Sequence, residues 1–418
     1  MNKKVKIISG IILLVLILTV VFSIRPYKHK KALEFNALGS EQYLAENYTV
    51  AKVHFEKAIK YNEDLLEAYN NLAKTLLALD DYSNALETAE KVLLVDNDNI
   101  EALTSSGQVK VKTNEFEKAI EYFNRVIALD SAFATAYYYR GVAFGSLGNL
   151  QASLADYKKA QELDRQNLEY YQSSLTVRTK LEDYSGIISD YNKILELDPS
   201  NTEAFYMRGY YKLNIDDYEG ALSDFNAALK LDSKLGKAHY YKGLSFVKLN
   251  NFDEAAPCFN SAAQNGFKPD EAYFNEGLAY LNLRDTKKGR IALKKSLEVN
   301  DSGERSKEAM INLGVLDMME QNYKGASRIY SKLLKVEPNN TDALFNRAIA
   351  YGELKQHKEA ISDLTKCIKL GRSQAEVYFA RGVNYINLFS YAEGCQDFQK
   401  ATTLGHAQAE KMIKDYCN

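Results

Sequence analysis

The sequence predicts an all-α fold in which helical hairpins stack into a solenoid, preceded by one transmembrane helix. Small residues recur at 34-residue intervals, from Gly39 to Ala73 to Gly107, which indicates repeated units of one size. Only five of the 418 residues are proline, which favours uninterrupted helices. The 18 residues from Ile7 to Ile24 carry no charge and are mostly Ile, Leu and Val, which is long enough for a membrane span.

Each repeat carries small and aromatic residues at fixed positions. Position 8 and position 20 are small in most copies, position 24 is often aromatic, and position 27 is again small. The register continues from residue 32 to residue 303, and after three extra residues it resumes and ends at residue 408. The small residues at position 8 are Gly39, Ala73, Gly107, Gly141, Gly209, Gly243, Gly277, Gly314, Ala348 and Gly382.

Each period divides into two helical stretches around a polar break such as Asn250-Asn251. Position 8 on the first helix faces position 20 on the second, and small side chains there let the two backbones approach closely. One such pair cannot bury its apolar face alone, so a stack of pairs is needed for a continuous core.

Three segments follow from this register. Residues 1–31 form the transmembrane anchor with its basic flank, residues 32–408 form eleven repeats, and residues 409–418 form a capping helix. In the capping helix Ala409, Met412, Ile413 and Tyr416 share one face. The repeats are predicted at 32–65, 66–99, 100–133, 134–167, 168–201, 202–235, 236–269, 270–303, 307–340, 341–374 and 375–408.

The pattern resembles the tetratricopeptide repeat. One copy that carries most of that family's signature contains Ala204-Phe205-Tyr206-Met207-Arg208-Gly209, Tyr218-Glu219-Gly220-Ala221-Leu222, Phe225, Ala228 and Leu231-Asp232. The family's Trp at position 4 is replaced throughout, and its proline at position 32 survives only as Pro199 and Pro338. The resemblance implies a right-handed superhelix whose first helices line a concave groove, and this groove is expected to meet a protein or peptide ligand.

The N-terminal segment is expected to stay attached as a single-pass membrane anchor. Its apolar stretch is long for a cleavable secretory signal, which is the alternative, and no A-x-A cleavage site follows it. Three lysines precede the stretch and four basic residues follow it, so the positive-inside rule leaves the sidedness open. The short basic start favours, weakly, a large domain outside the cytoplasm.

Composition and motifs exclude several function classes. The net charge of −2 gives no general attraction to nucleic acid. The four cysteines have no metal-ligand spacing and no CxxC, and pairing of Cys395 with Cys417 is left open. There is no GxxxxGK[ST], HExxH or GxSxG, and the five histidines fall in different repeats. We therefore expect no catalytic residue, no metal and no cofactor.

The predicted ligand-binding residues lie on the first helices of the later repeats. Repeats one to three carry polar residues at positions 5 and 9, such as Thr104 and Gln108, whereas repeats six to eleven carry aromatic and aliphatic ones. An exposed apolar stripe of this length is costly unless something covers it. We therefore predict that an apolar or amphipathic peptide or helix binds there. The predicted residues are Tyr206, Tyr240, Phe274, Asn275, Asn312, Phe345, Asn346 and Phe379.

Alternatives remain for these residues and for the function. The aromatic residues at position 5 also fit packing between neighbouring first helices, and the asparagines fit simple solvation. An asparagine amide can instead hold a peptide backbone, because it both donates and accepts. The predicted function is a membrane-anchored scaffold for protein–protein interaction. The alternative is a self-associating structural or accessory subunit of a cell-envelope assembly or export machine, which would form a homo-oligomer.

Overall fold

The computed structural model describes residues 25–303 and 305–417, which form 23 α-helices and contain no strand. They belong to two compact units, Met1–Asn201 and Thr202–Asn418. Unit 1 contains α1 (25–44), α2 (Tyr48–Tyr61), α3 (Leu66–Ala78), α4 (Tyr82–Val95), α5 (Ile100–Lys112), α6 (Phe116–Leu129), α7 (Ala134–Ser146), α8 (Leu150–Leu163), α9 (Leu168–Lys180) and α10 (Tyr184–Leu197). Unit 2 contains α11 (Thr202–Asn214), α12 (Tyr218–Leu231), α13 (Gly236–Lys248), α14 (Phe252–Gln264), α15 (Pro269–Asn282), α16 (Thr286–Val299), α17 (Ser306–Met319), α18 (Tyr323–Val336), α19 (Thr341–Glu353), α20 (His357–Lys369), α21 (Ala375–Asn387), α22 (Tyr391–Thr403) and α23 (Ala409–Tyr416).

The helices pair as an odd-numbered first helix and an even-numbered second helix, joined by a short turn. The turn in each pair contains one residue with a positive φ, near +60° in most of them. Gly148, with φ of 79°, occupies this place in the α7–α8 turn. The other described turns use residues with side chains, such as Asp80 at 57° and Lys355 at 60°. A left-handed residue ends the first helix and reverses the chain toward the second.

The small residues hold the two helices of a pair together. A Cβ atom added at Gly209 would lie 2.9 Å from the Phe225 ring, so the aromatic residue at position 24 covers the glycine at position 8. In another pair, a Cβ atom at Gly277 would lie 3.3 Å from the carbonyl oxygen of Gly289. Positions 8 and 20 therefore bring the backbones together as the sequence predicts. Phe225 is completely buried, so each pair contributes an aromatic or aliphatic side chain to the core.

Arginine–aspartate pairs at positions 7 and 23 join the first and second helices of four pairs. In the α19–α20 pair, Arg347 donates from Nε and Nη2 to the two carboxylate oxygens of Asp363, at 2.7 and 2.8 Å. Bidentate geometry of this kind fixes the orientation of both side chains. The other pairs with this arrangement are Arg140–Asp156, Arg208–Asp224 and Arg381–Asp397.

The C-terminal helix α23 lies against α22, and a disulfide joins Cys395 on α22 to Cys417. Ala409 is its one fully buried residue, while Tyr416 is 45% exposed. The bridge therefore adds a covalent attachment to a helix that buries little apolar surface. Cys258 and Cys367 are buried free thiols.

The predicted localisation, a single-pass membrane protein, is corrected. Among residues 25–303 and 305–417, no helix combines the length and the apolar composition needed to cross a bilayer. The helices α2 to α23 have 8 to 14 residues, whereas a spanning helix needs about 20. The stretch on which that prediction rested, residues 7–24, lies outside the described residues. The predicted all-α repeat solenoid is confirmed, whereas the number of repeats, their boundaries and the superhelical hand stay predictions.

Candidate functional site

The aromatic residues predicted to bind a ligand lie mostly in the core of unit 2. Tyr240 and Phe274 are each 3% exposed, and Tyr206 is 8% exposed, while Phe345 and Phe379 are half-buried. The Tyr240 ring lies 5.7 Å from Phe259 and 5.5 Å from Phe267, measured between ring centroids. Burial raises the pKa of the Tyr206 and Tyr240 phenols, so both stay neutral at physiological pH.

These rings therefore pack between neighbouring helices, which is the alternative that the sequence left open. A large part of their surface is already in contact with the chain itself. Their role in binding stays a prediction.

Basic side chains of the chain also cover these rings. The Lys237 ammonium lies 4.2 Å from the centroid of Tyr206, and the Arg372 guanidinium lies 4.5 Å from that of Phe345. Such cations are attracted to the negative face of an aromatic ring. Further contacts of this kind are Lys268 over Tyr240 at 5.3 Å and Arg305 over Phe274 at 5.8 Å. The Phe379 ring is instead stacked on the His406 ring, with 3.9 Å between centroids.

The acidic residues at position 2 partner the same cations. Lys237 pairs with Glu203 at 2.5 Å, and Lys268 pairs with Glu271 at 3.0 Å. Arg372 also pairs with an acid, the exposed Asp342. The charges at the start of the first helices are therefore matched within unit 2.

The three predicted asparagines occupy half-buried places on α15, α17 and α19. Asn275 donates to the Tyr240 hydroxyl at 3.2 Å, and Asn312 donates to the backbone carbonyl of Glu308 at 2.8 Å. These two amides therefore already donate a hydrogen bond within the chain. Asn346 lies beside Phe345 in sequence on α19, and both residues are half-buried.

An apolar row remains partly open to solvent in unit 2. It consists of the residues at position 9, among which Val315 is 42% exposed. The others are half-buried and come from successive first helices. The members of the row are Tyr210, Leu244, Leu278, Val315, Ile349 and Val383.

Unit 1 contains a cavity that the sequence did not predict, which we call the central cavity. Its volume is about 550 Å³, within the range of ligand pockets. It lies along the first helices α1, α3, α5 and α7, and α5 forms its middle. The lining residues are Tyr43, Lys74, Leu77, Ala78, Asp80, Thr104, Ser105, Gln108, Lys112, Phe133, Thr135 and Tyr139.

Small polar residues on α5 open this cavity. At positions 5 and 6 the next first helix, α7, carries Tyr138 and Tyr139, whereas α5 carries Thr104 and Ser105. Tyr139 is stacked on Phe123 with 5.9 Å between ring centroids, and it forms one wall. Burial raises the pKa of the Tyr139 phenol. The smaller threonine and serine on α5, in place of two tyrosines, therefore leave space beside this helix.

Polar groups in and around the central cavity are incompletely satisfied. Ser105 is 1% exposed, and its hydroxyl has no hydrogen-bond partner among the described residues. Nearby on α3 and α5, Asn70 Oδ1 and the Ser106 hydroxyl are also buried without a partner in the part of the chain described. Buried polar groups are usually paired, so unpaired ones indicate a ligand or a bound water. Lys74 pairs with Glu101 at 3.0 Å.

Two further cavities of unit 1 are lined by first helices, and one of them shares residues with the central cavity. One of about 220 Å³ shares Tyr43 and Lys74 with it. The other, of about 410 Å³, begins at Tyr138, which is next in sequence to Tyr139 of the central cavity, and extends to Lys180 on α9. The cavities thus follow the first helices from α1 to α9 in unit 1.

The sequence contains a signal for this site. The run Thr104-Ser105-Ser106-Gly107-Gln108 places five consecutive small or polar residues on one first helix. Helical periodicity indicates the polar character of positions 5 and 9 in this repeat, but not the missing side-chain volume. Within residues 25–303 and 305–417, no group of three or more His, Cys, Asp or Glu residues is arranged to hold a metal ion.

Comparisons with known proteins identify the repeat. Models described as tetratricopeptide repeats match residues 66–99, 134–167, 202–235, 240–304 and 329–362, and one described as a TPR repeat matches residues 107–148. A search of curated proteins found no match. This repeat is generally a protein-interaction fold and not a catalytic one.

Several solved structures are similar to the chain in fold. YrrB, described as a TPR protein with an unusual peptide-binding site, is 23% identical, with a TM-score of 0.39 over 48% of this chain and 99% of that chain. Naa15/Naa10 bound to HypK-THB is 12% identical, with a TM-score of 0.49 over 82% of this chain and 64% of that chain. A thermophilic TPR protein of Thermus thermophilus, TTC0263, is 20% identical, with a TM-score of 0.38 over 44% of this chain and 99% of that chain. At these identities the likeness concerns the fold alone, and the function is argued from the site. By the family models and its helical pairs, the chain carries tetratricopeptide repeats.

Proposed function

We propose that the chain is a scaffold for protein–protein interaction that holds an extended polypeptide segment along the first helices of unit 1. The observation that carries this proposal is the row of three cavities along the first helices from α1 to α9, two of which share Tyr43 and Lys74. A row of this kind fits a long, narrow ligand better than a compact one. The side chains of Gln108 and Thr135, which line the central cavity, can form hydrogen bonds with a peptide backbone.

The length of the row suits a peptide of about ten residues. Packed helices lie about 8–10 Å apart, so five neighbouring first helices extend over about 32–40 Å. An extended chain covers about 3.3–3.6 Å per residue, which gives about ten residues for that distance. Tyr43 and Tyr139, on the two sides of the central cavity, offer rings that pack against ligand side chains with little loss of side-chain entropy.

Blocking the central cavity tests the proposal. Gln108 lines the cavity from a half-buried place, so Gln108→Trp fills the space without replacing a core residue. An array of ten-residue peptides would be probed with the full chain and with this variant. We expect the variant to lose the peptides that the parent chain captures, while its circular dichroism stays unchanged.

The matched control is Ser131→Trp, which adds the same side chain at an exposed turn that does not line the cavity. It should keep all captured peptides. If Gln108→Trp keeps them as well, the ligand does not lie in the central cavity, and the proposal fails.

Unit 2 offers the second surface that we propose for polypeptide binding. The observation that favours it is the partly open apolar row at position 9, beside the half-buried Phe345 and Asn346. The buried Tyr240 and Phe274 are poor test positions, because alanine there removes core volume and costs about 3–5 kcal/mol. Val315→Lys changes an exposed residue of the row and should weaken capture by this surface without unfolding it.

A further inference from the structure

We propose that the central cavity recognises an internal aspartate or glutamate side chain of the bound polypeptide. This inference rests on the proposed function, since it assigns a ligand group to the same site. It concerns the middle of the cavity, where Lys112, Ser105 and Gln108 all lie on α5.

The charge of the lining favours a carboxylate. Lys112 is exposed and makes no ion pair with any described residue, although it lines the cavity. Lys74, the second cation, already has an acidic partner in Glu101. Asp80 is the one acid in the lining, and its carboxylate accepts a hydrogen bond from Tyr82 at 2.6 Å. A ligand carboxylate would supply the partner that Lys112 lacks.

The hydrogen-bonding groups point to the same ligand chemistry. A carboxylate only accepts hydrogen bonds, so it needs donors around it. The amide of Gln108 and the ammonium of Lys112 are donors in the lining. A ligand ammonium group would lie beside Lys74 and Lys112, with Asp80 as the one acid in the lining. Two cations against one acid favour a negative ligand group.

The cavities on both sides indicate a side chain and not the end of a chain. The central cavity shares Tyr43 and Lys74 with one neighbouring cavity, and the other begins at Tyr138, next in sequence to Tyr139 of the central cavity. A C-terminal carboxylate placed at the centre would leave one of these neighbours without a ligand. An internal acidic residue lets the polypeptide continue in both directions.

The experiment measures fluorescence polarisation of the full chain with labelled ten-residue peptides taken from those captured on the array. Each peptide is made with glutamate, glutamine or lysine at its central position, and its C-terminus is amidated. A further peptide ends at the central position with a free carboxylate. We expect the glutamate peptide to bind about tenfold more tightly than the glutamine peptide, since a charge-assisted bond contributes about one such factor.

Two variants assign the effect to the cavity. Lys112→Gln should remove the tenfold preference for glutamate, whereas Lys158→Gln, which changes an exposed lysine on the second helix α8, should keep it. Equal binding of the three amidated peptides would overturn the inference while leaving the proposed function intact. A preference that survives in Lys112→Gln, or tightest binding by the peptide that ends in a free carboxylate, would also overturn it. If no peptide bound at all, the proposed function itself would fail.

Discussion

Removal of one partner from the Arg347–Asp363 pair should destabilise the α19–α20 pair far more than removal of both. The guanidinium side chain is 19% exposed and the carboxylate side chain 9%, so both charges are largely desolvated. Asp363→Ala leaves Ser331 as the hydrogen-bond partner of Arg347 among the described residues, at 3.0 Å. Breaking a buried pair in this way costs about 3–5 kcal/mol, and the residual exposure of the arginine places the expected loss near 3 kcal/mol.

Replacement of both partners has a different expected result. Arg347→Met together with Asp363→Leu removes both charges and keeps most of the side-chain volume, so the expected cost is about 1 kcal/mol or less. The control is Asp342→Ala on the same helix, where the acid is 77% exposed and the expected loss is below about 1 kcal/mol. This ranking separates the cost of an unpaired buried charge from the loss of a side chain.

Native-state hydrogen exchange of α19 and α20 is the suitable assay, because repeats unfold locally and a single global unfolding energy is poorly defined for an array. A loss of about 3 kcal/mol corresponds to exchange that is faster by about two orders of magnitude. If the double variant exchanges as fast as Asp363→Ala, the pair contributes net stability, and the reasoning from desolvation is wrong.

Three further predictions follow from local features. Gly148→Ala should destabilise the α7–α8 pair by about 1 kcal/mol, because φ at Gly148 is 79°. An added Cβ atom would meet nothing within 4 Å, so the cost is backbone strain alone. Unchanged amide protection in α7 would contradict this prediction. The hydrogen bond from Lys110 lowers the pKa of Glu115 from 4.5 to about 2, so the stabilisation by the Glu115 carboxylate is present above pH 4.5 and is lost as the pH falls toward 2. In Glu115→Gln the melting temperature should therefore fall less steeply at acid pH than in the parent chain. Addition of 1 M salt should shrink this difference between variant and parent. Cys395→Ser with Cys417→Ser should free α23 from α22, with a loss of about 3 kcal/mol in the stability of their attachment, as expected for a loop of 22 residues. Proteolysis confined to the C-terminus would show this release. Resistance to proteolysis equal to that of the parent chain would contradict it.

The fold could be predicted from the sequence because its determinants repeat. A single glycine at position 8 is weak evidence, but Gly209 and Gly277 recur in one register, and both meet their predicted neighbours. The arginine–aspartate pairs were missed, although Arg347 and Asp363 also recur at fixed positions. Charged residues on a helix usually lie in solvent, so their types alone do not indicate burial.

The candidate site was less accessible to sequence reasoning. Helical periodicity placed Tyr240 on the ligand side of its helix, but it did not show that Phe267 and Lys268 would cover the ring. The central cavity depends on what is absent from α5, namely the bulk that Tyr138 and Tyr139 supply on α7. Missing volume becomes visible only when neighbouring helices are in place. The predicted membrane localisation was wrong, because none of the described helices is long and apolar enough to cross a bilayer.

The contact between Gly209 and Phe225 has a consequence for how such a chain can change over evolutionary time. Gly209 and the Phe225 ring lie 16 residues apart within one helical pair, so both residues of this contact belong to the same repeat. Duplication or deletion of one whole 34-residue period would preserve every contact of this kind between a residue at position 8 and one at position 24. Insertions between Gly209 and Phe225 would separate these two residues, whereas insertions between repeats, such as the three extra residues after residue 303, leave each contact intact.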